Sequence, residues 1–195
     1  MSYRVEGLDE VVTFEPGSSL LLTGDSMVTD ERLLDAVTPE GDERTIVITA
    51  NMDVGTIVSE LESRGADREQ VGVIDCTTTE TSVEDVDVRQ LNSPGDLTGI
   101  SLEFAKLLED DEAASVRVGM SSISTTLMYA ELRTLFRFLH VFTSRIRSGE
   151  MFGVFAMDPS MHEEQALNTI RAVFDAEARI DEDGSVSLRG TGFSR

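Results

Sequence analysis

Two adjacent acids, Asp30 and Glu31, stand where a phosphate-binding sequence would carry a cation and a hydroxyl. The run Ser19-Leu20-Leu21-Leu22-Thr23 reads as a short buried strand, and Gly24 closes it. A strand, a glycine-rich turn of the form G-x-x-x-x-G-K-[ST] and a helix cradle phosphate on backbone N–H groups. Gly24 holds the first glycine's place, and Thr29-Asp30-Glu31 then occupies the Gly-Lys-Ser/Thr positions. A structural role fits these residues as well. Helix N-termini attract anions, so Thr29 is expected as the N-cap, with Asp30 and Glu31 in the first turn.

Other side chains with chemical potential are few. Asp158, His162 and Glu163 have metal-capable groups in one short stretch, although Ser160 to Glu164 also reads as a helix start with acids in its first turn. The second histidine, His140, lies 22 residues away among Phe138, Leu139 and Phe142 and reads as a packed core residue. Cys76 stands beside Asp75, whose charge raises the thiol pKa, so it reads as structural. G-x-S-x-G, C-x-x-C and H-E-x-x-H do not occur. Arg133, Arg137, Arg145 and Arg147 form a basic stripe on one long helical segment. They suit either pairing with the chain's own acids or contact with an acidic protomer or partner.

That stripe is unusual because the chain is so acidic. Its 195 residues carry 37 Asp+Glu against 16 Lys+Arg, a formal net charge of −21. Such a field repels nucleic acid, whose binding needs a basic face. Lys106 is the only lysine. An acidic, lysine-poor surface points to a halophile, because at ~1 M salt the Debye length of about 3 Å screens the self-repulsion. Apolar runs fall far short of the ~20 residues of a membrane helix, and the first residues lack a signal-peptide pattern. One cysteine allows no internal disulfide, so a cytoplasmic location is expected.

The elements that must position these residues alternate. Strands are expected at 19–23, 44–49, 70–75, 115–120 and 151–157. Helices are expected at 29–37, 54–64, 97–108, 126–147 and 161–174, with a polar, strand-poor stretch over 76–94. A hairpin is expected around Asp183-Gly184, joining 176–180 to 185–188. Apolar strands alternating with helices indicate one α/β domain over residues 1–195, with a mainly parallel sheet. Ligands in such sheets sit at the carboxyl ends of the strands.

Several segments, in order, resemble the RecA-like superfamily, most closely its archaeal KaiC-like branch. Val5-Glu6-Gly7-Leu8-Asp9-Glu10 resembles that family's opening segment, and Pro16-Gly17-Ser18-Ser19 into Leu20-Leu21-Leu22-Thr23-Gly24 resembles its P-loop strand. Ser121 to Tyr129 resembles the segment that begins with the Walker B aspartate, and Phe136 to Arg145 the helix after it in haloarchaeal members. The resemblance implies a three-layer RecA-like P-loop fold and, in intact members, ATP and Mg²⁺. It also implies that this site is degenerate. The second glycine would be Thr29, the lysine Asp30, the Mg²⁺-holding hydroxyl Glu31 and the Walker B aspartate Ser121. A charge pair at 4 Å is worth ~4 kcal/mol at an effective dielectric of 20, and Asp30 reverses its sign.

The expectation is therefore a pseudo-ATPase with no cofactor and no catalytic residues. It would act as a regulatory or scaffolding domain through contact with itself or with an intact KaiC-like ATPase. Two alternatives stand beside it. One is a divergent ATPase whose metal site uses Glu31 and Asp53, with Arg32 replacing the lysine. The other is a small-ligand or metal sensor built on Asp158 to Glu163.

Overall fold

The structure, a computed structural model, describes residues 1–109, 113 and 115–195. Its centre is an eight-stranded sheet built from runs with apolar side chains on both faces. In chain order these strands are β3 (Ser19–Thr23), β4 (Arg44–Thr49), β5 (Val71–Asp75), β6 (Asp87–Gln90), β7 (Val116–Ser121), β8 (Phe152–Met157), β9 (Ala176–Ile180) and β10 (Val186–Gly190). Their spatial order is β10-β9-β3-β8-β7-β4-β5-β6. Every pairing is parallel except β9 with β10.

Among the described residues, six α-helices cover the two faces: α1 (Ser26–Val37), α2 (Val54–Ser63), α3 (Leu97–Glu109), α4 (Ile123–Thr126), α5 (Leu132–Ser148) and α6 (Glu164–Arg171). Alternation along each strand sorts the side chains between two cores. Leu20 and Leu22 pack with Leu33, Val37, Ile57 and Leu61 of α1 and α2. Leu21 points the other way, into a core with Phe104, Leu139, Phe142 and Ile170 of α3, α5 and α6.

A second sheet, β1 (Tyr3–Leu8), β2 (Glu10–Phe14) and β11 (Phe193–Ser194), closes the α1 side. Arg117 of β7 ties it down from within. That side chain is 1% exposed; it bridges to Glu43 at 2.6 Å and donates to the carbonyls of Arg4 and Ala36. Tyr3 lies against the same guanidinium, 5.6 Å from its ring centroid.

The alternating α/β pattern and the terminal hairpin are as the sequence indicates; several boundaries differ. The expected 126–147 helix is two elements, α4 and α5, separated by a turn in which Met128 is exposed. The expected 161–174 helix shortens to α6, preceded by a 3-10 turn at Pro159–Met161. The stretch 76–94 contributes strand β6, paired parallel to β5. The opening residues form a hairpin that strand alternation in Tyr3, Val5, Val12 and Phe14 explains.

Candidate functional site

Parallel pairing brings the ends of β3, β4, β5, β7, β8 and β9 to one edge of the sheet. This is where doubly wound folds place ligands. At the middle of that edge only Gly24 and Asp25 separate β3 from α1. Gly24 donates its N–H to the Met157 carbonyl. A Cβ at this position would lie 2.8 Å from the carbonyl oxygen of Ile180, so the glycine admits a close approach of β9.

The helix that follows is capped by the chain's own carboxylates. Asp25 is the N-cap and accepts from the Met27 N–H at 3.0 Å. Ser26 Oγ donates to Asp158 Oδ2 at 3.2 Å. Asp158 also accepts from the N–H and hydroxyl of Ser160. Burial alone would raise the Asp158 pKa, but the bonds from Ser160 and Ser26 outweigh it and hold the carboxyl below its usual value. Two anionic side chains thus sit at the positive end of α1.

Thr29 is therefore not the N-cap. The helix starts three residues earlier, because Asp25 supplies the acceptor the first turn needs. Thr29 is buried, its N–H bonded to the Asp25 carbonyl and its hydroxyl to the Ser26 carbonyl. Asp30 and Glu31 fall in the second turn. Glu31 is exposed. Asp30 accepts from Asn51 Nδ2 at 2.9 Å through Oδ2, while Oδ1 is buried without a partner. Burial raises its pKa to about 6, the Asn51 bond offsetting only part of the effect.

The neighbouring strand ends are closed in the same way. Ser121 Oγ donates to Thr49 Oγ1 at 3.3 Å, and Thr49 exchanges hydrogen bonds with the backbone of Met52. Asp53 caps α2, accepting from the N–H and hydroxyl of Thr56. Arg32 approaches Asp35 at 3.9 Å. Lys106 pairs with Glu103 on α3, across the sheet from α1.

The remaining candidates separate. Asp158, His162 and Glu163 do not gather; among the described residues no three His, Cys, Asp or Glu side chains are placed to hold a metal ion. His162 Nε2 instead meets Ser124 Oγ at 2.7 Å. Burial lowers the His162 pKa, with the Asp158 charge opposing, so the ring is neutral near pH 7, and its tautomer sets which of the two groups donates. A serine beside a neutral histidine is the pairing a nucleophile needs. Sequence spacing gave no sign of it, since 38 residues separate the two. Ser124 is fully buried and also bonds the Asp158 backbone, so no substrate carbon reaches it. The pair fastens the β8 loop to α4.

Cys76 is buried, and burial, then the charges of Asp75 and Asp96, push its thiol up to about 12. His140 is not packed in the core; it is exposed and stacks on Phe136, since its position falls on the outer face of α5. Among the described residues, Arg147 alone of the arginine stripe meets an acid, Asp175 at 2.9 Å. Arg145 lies over the Phe104 ring at 5.3 Å. All four arginines are exposed.

The model of a family of unknown function (DUF7504) matches residues 17–180, most of the chain, which therefore belongs to that family. No curated protein matches it. Among solved structures it is similar to the KaiC-like protein PH0186 from the hyperthermophilic archaeon Pyrococcus horikoshii OT3. There the TM-score is 0.66 at 14% identity, covering 98% of this chain and 88% of that one. It is also similar to PH0250 from the same organism, with a TM-score of 0.65 at 13% identity, covering 91% and 88%. At these identities the likeness is one of fold, and the fold is RecA/KaiC-like.

Proposed function

We propose that this member of DUF7504 is a non-catalytic RecA/KaiC-like domain that regulates or scaffolds through protein–protein contact. One observation carries the reading. Of the residues that would form a phosphate loop, Ser26 to Thr29 are instead the first turn of α1, and the carboxylates of Asp25 and Asp158 lie at its N-terminus. A phosphate group needs free N–H donors and positive charge at that point. The residues present work against both: Asp25 already accepts the Met27 N–H, Asp30 and Glu31 add negative charge, and Ser121 brings no carboxylate to the position of a Walker B aspartate. The site does not fit a nucleoside triphosphate with its Mg²⁺.

The divergent-ATPase reading is weaker because two of its three key groups are otherwise engaged, although Glu31 is exposed. Asp53 caps α2, and Arg32 lies beside Asp35. The −21 charge and single lysine support a haloarchaeal, cytoplasmic setting in concentrated salt. The fold likeness to a KaiC-like protein makes an intact KaiC-like ATPase, or a second copy of this chain, a natural partner.

Titration of fluorescent ATP into the purified chain, in molar KCl with Mg²⁺, tests the reading. No saturable binding is expected at high micromolar protein. Saturable, Mg²⁺-dependent binding that is lost in Glu31→Ala would overturn it.

A further inference from the structure

Most cationic side chains of this acidic protein are held by its own carboxylates. Arg64 meets Asp35 and Glu60, Arg68 meets Glu62, Arg171 meets Glu177, and Arg195 meets Glu10. Arg133, Arg137 and Arg145 differ. Among the described residues, none of the three has a carboxylate within ion-pair distance, and all three project from α5. With 37 acids available, three guanidiniums without a carboxylate on one helix, Arg145 resting on the Phe104 ring, mark a face of distinct charge.

The same face carries a groove. It runs between α3 and α5, encloses about 290 Å³, and has Leu97 and Ser101 on one side and Phe138 and Val141 on the other, with Arg137 in its wall. Val141 is 66% exposed and Leu102, on α3, 54%. Thr134, Phe138 and Val141 recur at i, i+4 and i+7, and Leu97 and Ser101 at i and i+4. These are two ridges of the kind between which a third helix seats.

We propose that this groove docks an amphipathic helix of a different protein. Its apolar residues would rest on Phe138 and Val141, and its acidic edge would pair with Arg133 and Arg137. A second copy of this chain suits the groove poorly. The other exposed large apolar side chains, Met1, Val11, Met27, Met128, Tyr129 and Met161, lie at a terminus, on a strand, at a helix end or in turns. None forms an open helical ridge. The inference rests on the protein-contact reading above and not on the state of the phosphate site.

The test uses the full chain and a labelled synthetic helical peptide of about 15 residues, with Leu on one face and Glu elsewhere. A control peptide carries Lys in place of Glu. Fluorescence anisotropy is read at about 0.2 M and about 2 M KCl, where screening differs severalfold. The Glu peptide is expected to bind saturably and more tightly at the lower salt. Arg133→Ala with Arg137→Ala should weaken it about tenfold, as two partly exposed ion pairs would. Val141→Glu should abolish it. The two arginines are exposed, so their variant keeps the test decisive even where Val141→Glu fails to fold.

Equal binding of the two peptides would overturn the proposal, as would wild-type affinity in the arginine variant or no binding of the Glu peptide at either salt. So would sedimentation showing a self-associated chain that Val141→Glu dissociates. ATP titration of the same preparation separates the two readings: a chain that binds both ATP and the peptide refutes the pseudo-enzyme and leaves the groove standing.

Discussion

Asp30→Asn isolates the electrostatics of the strand-end site. The Asp30 carboxylate has one oxygen on Asn51 and the other buried with no partner, and burial raises its pKa from 3.8 to about 6. Between those two values the folded chain keeps a proton that the unfolded chain releases. Stability from this group is therefore fully present below about pH 3.8, falls as pH rises towards 6, and is level above that. A shift of about two units corresponds to at most ~3 kcal/mol. The residue is only partly buried, so solvent screening reduces the expected penalty to about 1–2 kcal/mol. Asparagine keeps the shape and can still accept from Asn51, but it carries no charge. Urea unfolding at fixed molar KCl should find the variant more stable by about 1–2 kcal/mol near pH 8. The advantage should close to nothing below about pH 4. Comparing the two proteins at each pH cancels the other carboxylates. A variant destabilised at pH 8, or an advantage that persists in acid, would show that Asp30 is not a strained charge.

Three further outcomes follow from the same geometry. Arg117→Ala should lower stability by about 3–5 kcal/mol by urea denaturation, because it leaves Glu43 facing an uncompensated, nearly buried site and frees two backbone carbonyls. Gly24→Ala should cost about 1–3 kcal/mol in the same assay, since its Cβ would press on the Ile180 carbonyl at 2.8 Å; a neutral result would mean β9 moves away freely. Cys76, buried and with its thiol pushed up to about 12, should resist iodoacetamide at pH 8 in the folded chain and react once urea unfolds it. Fast labelling of the folded protein would contradict its placement.

How far the fold is legible in the sequence depends on how local each signal is. Leu20-Leu21-Leu22, Ile46-Val47-Ile48 and Val71 to Ile74 are runs too apolar for a one-sided sheet, and they become central strands. β6 carries Asp87, Arg89 and Gln90, an edge composition that hides a strand whose pairing is set by β5. The break before α5 was hidden because Leu127, Met128 and Leu132 keep a helical spacing. Glu131 nevertheless adopts extended geometry and starts a new helix. The start of α1 was misplaced because Thr29 and Asp25 are both good N-caps, and sequence alone does not say which one the tertiary contact with Asp158 favours. The Ser124–His162 contact and the unpartnered Asp30 oxygen are purely tertiary and leave no sequence trace.

The carboxyl edge and the α5 face make opposite use of charge. A helix N-terminus that binds phosphate must keep its N–H groups open and so depends on a ligand to satisfy them. Here Asp25 accepts the Met27 N–H and Asp158 the Ser26 hydroxyl, and the loop carrying Asp158 is pinned by Ser124 and His162. On α5, among the described residues, Arg133 and Arg137 have no carboxylate within ion-pair distance, above a seam of apolar residues. On the proposed reading, carboxylates lie at the helix end where a phosphate would sit, while Arg133 and Arg137 on α5 would meet the acidic edge of a partner.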